Sequence, residues 1–131
     1  MRLPRIDSLE AMMWLGLLGA PLAWAAQHVI GYGLTEAACG PAGTRWSTPV
    51  DSWTIVVTAI GATLALLAGL AAFTVFRRTR DVEGTGGSEE PPPKGRIHFL
   101  AVVGMTISPL FLAIIVMSGL GSIILSNCVQ S

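Results

Sequence analysis

Three apolar stretches decide most of what this chain can become. Ala11–Leu34, Trp53–Phe76 and Phe99–Leu125 contain no Asp, Glu, Lys or Arg. At about 1.5 Å per residue, even the shortest would span roughly 36 Å as a helix, more than the ~30 Å of a bilayer core. Hydrocarbon has no partner for a backbone N–H or C=O, and a helix satisfies both internally. The sequence therefore predicts an all-α integral membrane protein with three transmembrane helices in one domain of 131 residues. The expected order is helix 1 over about 11–34, an outer loop over 35–51 and helix 2 over about 52–76. A cytoplasmic linker over 77–97, helix 3 over about 97–125 and an outer tail over 126–131 follow. Hydrophobic residues make up 52% and charged residues 12%, which excludes an ordinary soluble domain. The net charge of zero leaves no bulk field to attract nucleic acid.

The distribution of charge sets the orientation. Arg2 and Arg5 precede the first stretch, and Arg77, Arg78, Arg80, Lys94 and Arg96 lie between the second and third. Only Arg45 lies on the opposite side. The positive-inside bias places the N-terminus and the 77–97 linker in the cytoplasm of a bacterial inner membrane, with the C-terminus periplasmic. Arg2, Arg5 and Ala23-Trp24-Ala25 imitate a secretory signal and its cleavage site. The apolar run continues past that site, so the first stretch reads as a true span. Both cysteines then fall on the oxidising face. Cys39 follows helix 1 and Cys128 follows helix 3, which predicts a Cys39–Cys128 disulfide if their Cα atoms come within about 7 Å. The alternative is two free, partly buried thiols.

Polar chemistry inside the spans is concentrated in Gly19–Gly33. On a 3.6-residue period Ala20, Trp24, Gln27, His28 and Gly31 share one helix face, which must meet protein, a cofactor or water. Tyr32 belongs near the outer interface and Trp14 near the inner one. Gly16, Ala20, Ala23 and Gly31 invite close approach by a neighbour. Pro21 and Pro109 should kink or locally open helices 1 and 3. In helix 2, Thr54, Thr58, Ala62, Ala65, Gly69 and Ala72 form a small stripe for packing on protein. Ile55, Val56, Leu66, Leu67, Leu70 and Phe73 form the opposing lipid face. Helix 3 carries Gly104 with Ser108 and Ser118 with Ser122 as two small polar patches. Counting turns puts Gln27, Thr58 and Ser118 in one layer, roughly 10 Å below the outer interface. That layer reads as interhelical hydrogen bonding, or as contact with a haem, quinone, metal or larger subunit.

Other chemistry finds little footing. His28 and His98 lie at opposite depths, roughly 30 Å apart, so one chain cannot place both on one haem iron. There is no Cys-x-x-Cys, no Met/His/Cys cluster for copper and no carboxylate inside a span. No Gly-rich phosphate loop, Ser/His/Asp set or HExxH motif occurs. The Gly/Pro-rich segment 83–95 reads as a solvated linker, with a Pro-Pro-Pro docking motif as its functional alternative. The expectation is a protein that is not an enzyme, with no catalytic residue, resident cofactor or metal.

The stretch Gly19-Ala-Pro-Leu-Ala-Trp-Ala-Ala-Gln-His-Val-Ile-Gly-Tyr-Gly33, with Cys39 beyond it, resembles small three-helix membrane proteins of proteobacteria encoded beside haem–copper cytochrome c oxidase genes. The resemblance covers helix 1 and the first outer loop, while helices 2 and 3 match in hydropathy alone. It implies an accessory or assembly role at a terminal oxidase, with Trp24, Gln27, Tyr32 and Cys39 as the positions to follow. The expected function is a non-catalytic subunit of a respiratory complex, in contact with membrane lipid and larger subunits. The alternatives are a small cofactor-binding or redox protein acting alone or as a homodimer, and a stand-alone structural protein.

Overall fold

The computed structural model describes residues 4–40, 49–83, 92–125 and 128, with side chains described over 8–40, 49–80, 95–125 and 128. The chain forms three helices, α1 (Pro4–Cys39), α2 (Val50–Glu83) and α3 (Pro92–Ile124). All three are long and apolar enough to cross a membrane, over Ser8–Cys39, Val50–Arg80 and Gly95–Ile124. This is a multi-pass, all-α membrane protein.

Each helix outruns its charge-free stretch. Absence of charge marks the part that lies in hydrocarbon, whereas backbone hydrogen bonding carries a helix on through flanking charged residues such as Arg77, Arg78 and Arg80. α1 starts at Pro4 and stops before Gly40, whose N–H still bonds the Glu36 carbonyl at 2.9 Å. At the start of α2, the Pro49 carbonyl accepts from the Trp53 N–H at 3.2 Å, and Asp51 lies in the first turn. Asp51 there and Arg80 in the last turn complement the helix dipole. α3 opens at Pro92, where proline is tolerated because first-turn N–H groups have no helical partner. α1 continues through Pro21 and α3 through Pro109. Of the expected loops, Arg45, Trp46 and most of the linker's Gly/Pro run lie outside the described residues.

All three helices touch one another. α2 runs antiparallel to α1, since Met13 packs with Val75 while Gln27 bonds Thr58. α3 runs parallel to α1, with Gly104 beside Gly16 and Ile115 beside Gln27. The core is made of small side chains. Ala20, Ala23, Ala65, Ala68 and Ile115 form its central cluster, covered by Trp24 and Phe111. A second cluster of Met13, Val75, Ile97 and Ala101 lies towards the end of the bundle remote from the cysteines.

Between the clusters the backbones nearly meet. A Cβ added at Gly16 would lie 2.8 Å from the Ala72 Cβ and 2.9 Å from its Cα. One at Gly104 would lie 3.1 Å from the Gly16 carbonyl oxygen. Glycine is required there because only a missing side chain lets three backbones converge. Ser108 is buried at the same crossing, its hydroxyl donating to the Gly16 carbonyl at 3.4 Å.

The rest of the surface is greasy. Ile55, Val56, Leu66, Leu67, Leu70 and Phe73 of α2 are all exposed, as their place opposite the small stripe implies. Leu22, Val29 and Ile30 of α1 and Leu110, Ile114 and Met117 of α3 are exposed too. Such a surface is stable only in lipid or against other membrane protein.

Candidate functional site

The polar layer forms around Gln27, which is 7% exposed. Its amide Nε2 donates to the Thr58 hydroxyl oxygen at 3.0 Å and to the Ile115 carbonyl oxygen at 3.3 Å. One α1 side chain thereby ties α2 and α3 together. Both amide hydrogens are in use, while Oε1 is buried with no partner among the described residues. Gly119 leaves the room that Thr58 occupies, since a Cβ there would drive into the Thr58 side chain.

Beside this bond lies a half-open cleft of about 230 Å³, between mid-span and the disulfide end. Gln27, Thr58 and Ser118 form its inner wall, with Thr54 and Ser122 above them. His28 and Tyr32 stand at the rim, both exposed. Three hydroxyls of the wall are turned onto their own helices. Thr35 donates to the Gly31 carbonyl at 3.0 Å, Thr54 to Val50 at 2.9 Å and Ser122 to Ser118 at 3.0 Å.

The residues expected on one face of helix 1 divide in three ways. Ala20 and Gln27 point into the bundle and are buried. Trp24 is half-buried at the edge, its ring 5.6 Å from Phe111 and 5.0 Å from His28. The Trp24 indole N–H is enclosed without a partner among the described residues. His28 lies outside the helix contacts, and no helix of this chain packs against Gly31. A Cβ at Gly31 would meet nothing within 4 Å, so Gly31 borders the open cleft instead of a neighbouring helix. Ser118 lines the cleft, but the α3 group that Gln27 reaches is the Ile115 carbonyl, one turn away. A backbone acceptor carries no signature in residue type, whereas the Gln27–Thr58 pairing was legible from depth alone.

Cys39 and Cys128 form a disulfide, with Cα atoms 5.5 Å apart. It joins the last residue of α1 to the segment after α3. The second histidine serves the other end of the bundle. His98 Nδ1 lies 2.8 Å from the Thr79 hydroxyl oxygen, and its ring stacks on Phe76 at 5.2 Å. His98 thus pins α3 to α2 far from His28. Among the described residues no group of three His, Cys, Asp or Glu is placed to hold a metal ion. What the cleft offers is hydrogen bonding at membrane depth, with an aromatic and an imidazole at its edge. No protein-family model, curated protein or solved structure matches the chain.

Proposed function

We propose that the chain is a non-catalytic accessory or assembly subunit of a bacterial inner-membrane respiratory complex, with a haem–copper cytochrome c oxidase as its host. The observation that carries this reading is the outward placement of His28. Its ring is exposed within a span, next to Val29 and Ile30, which are 73% and 46% exposed. An imidazole facing hydrocarbon leaves two ring nitrogens unsatisfied, whereas a neighbouring protein supplies partners. Tyr32, 71% exposed one turn further on, widens that contact. The resemblance of Gly19–Gly33 and Cys39 to proteins encoded with terminal oxidases supplies the identity of the host.

The disulfide and the charge bias agree on orientation. A structural disulfide belongs to the oxidising face, and the basic residues cluster towards the opposite one. The N-terminus is then cytoplasmic and the Cys39–Cys128 end periplasmic.

The test is a mild-detergent pull-down from native membranes, with mass spectrometry and a visible spectrum of one eluate. Oxidase subunits and haem should arrive together at fixed stoichiometry. His28→Leu gives up the ring contact with Trp24 but no interhelical hydrogen bond, and Tyr32→Ala changes an exposed side chain, so they should reduce recovery of the host while the chain itself stays at its normal level. A chain that elutes alone and colourless overturns the subunit reading. A chain that elutes alone with a Soret band lost in His28→Ala favours the cofactor-binding alternative.

A further inference from the structure

In hydrocarbon a Ser or Thr hydroxyl turns its hydrogen onto a carbonyl of its own helix, because nothing else there accepts it. Thr63 and Thr106, on exposed faces, donate in this way to the Ala59 and Val102 carbonyls at 2.8 and 2.9 Å. Thr35, Thr54 and Ser122, which line the cleft beside Gln27, do the same. Two other hydroxyls of that cleft do not. Thr58 accepts from Gln27, and its own hydrogen reaches no acceptor among the described residues. The Ser118 hydroxyl has no hydrogen-bond partner among them, since Ser122 bonds the Ser118 backbone carbonyl.

The two lie at one seam. A Cβ added at Gly119 would stand 2.6 Å from Thr58 Oγ1, so α2 meets α3 there, and Ser118 is the adjoining residue. The inner wall of the cleft thus holds two uncommitted O–H donors, one from each helix. Tyr32 and His28 bring further donors at the rim.

Chemistry narrows the occupant. Donors without acceptors are costly at membrane depth, so the pair favours an oxygen with free lone pairs. An anion is disfavoured, because no Lys or Arg lines the cleft to offset its lost hydration. A ligand hydroxyl would bring another hydrogen to a seam that already holds two uncommitted ones. A neutral carbonyl oxygen has two lone pairs, one for each hydroxyl, and asks for no acceptor in return. The volume of about 230 Å³ takes one ring or ester group, with its tail left in lipid through the half-open side.

The geometry points to a binding site for a carbonyl oxygen on the neutral head group of a membrane amphiphile, held by the Thr58 and Ser118 hydroxyls. Two sources share this chemistry, a quinone ring and an acyl ester. The site belongs to the isolated chain and does not depend on the respiratory host.

The test follows thermal unfolding of the purified full-length protein in a maltoside detergent, which carries no carbonyl, as amphiphile is added. Decylubiquinone is compared with decylubiquinol, and dioleoylglycerol with its dialkyl ether analogue. A larger rise in midpoint with the quinone than with the quinol assigns the ring source. A larger rise with the ester than with the ether assigns the acyl source, and both together show selection of the carbonyl whatever its frame. Ser118→Ala should weaken binding of the responding probe about fivefold, the loss of one hydrogen bond. Ser122→Ala is the matched control one turn along the same wall. Its hydroxyl hydrogen is already committed, so affinity should hold within about twofold. Neither substitution breaks a bond between helices, so the bundle survives both. No response to any probe, equal responses within both pairs, a preference for the quinol, or equal affinities in the two serine variants overturns the site.

Discussion

Gln27 of α1 donates to Thr58 of α2 at 3.0 Å, and both lie in the part of the bundle where the alanine-rich packing gives way to the cleft. The bond closes the core beneath a polar space. Interhelical hydrogen bonds in membranes average about 0.6 kcal/mol and reach about 1.7 kcal/mol, because the separated helices find other partners. A double-mutant cycle with Gln27→Leu and Thr58→Val should give a coupling in that range, read from unfolding in mixed micelles. Additive effects would mean that the two side chains do not hold each other.

Replacing Gly16 with alanine should be costly for its size. The new methyl would press on the Cα and N of Ala72 as well as its Cβ, so an entire helix must move. Overpacking of this kind costs about 1–3 kcal/mol. Gly119→Ala should behave similarly, because β-branched Thr58 has few rotamers in a helix and its oxygen accepts from Gln27. Gly33→Ala is the control. A Cβ there meets nothing within 4 Å, and alanine is the better helix former, so stability should hold or rise. Equal losses at all three positions would refute close packing as the cause.

Trp24→Phe should leave stability unchanged or raise it. The phenyl ring keeps the contacts to Phe111 and His28 and removes an enclosed N–H that has no partner among the described residues. A buried unsatisfied donor costs about 1–3 kcal/mol. Trp24→Ala, which opens a cavity beside Ala20 and Phe111, should cost about 3 kcal/mol or more. If the two substitutions destabilise alike, the indole N–H is making a bond that matters.

The disulfide should show itself in thiol chemistry. Protein taken from membranes in the presence of an alkylating maleimide should label at neither Cys39 nor Cys128 until reductant is added, and at both afterwards. The Cys39→Ser, Cys128→Ser double variant should lower stability by about 2–4 kcal/mol. Labelling without reductant would contradict the bond.

Much of this protein was determined locally. Charge-free runs long enough to cross a bilayer demand helices, whatever packs around them. The alternating four- and three-residue spacing of Thr58, Ala62, Ala65, Gly69 and Ala72 put the small face of α2 inward, since side-chain direction on a helix follows from position alone. Depth along a rigid rod likewise brought Gln27 opposite Thr58 and Cys39 opposite Cys128. Tertiary structure decided the rest. Gln27 and His28 are adjacent, separated by about 100° around the helix, and one broad face includes both. Only the actual lines of contact with α2 and α3 turn Gln27 inward and leave His28 outside. The same contacts gave Gln27 the Ile115 carbonyl and not the Ser118 hydroxyl, and they left Gly31 at the edge of a cleft. A periodic pattern specifies which direction a side chain points, but the distance to what it faces is set by three helices finding their closest approach at Gly16, Ala72 and Gly104.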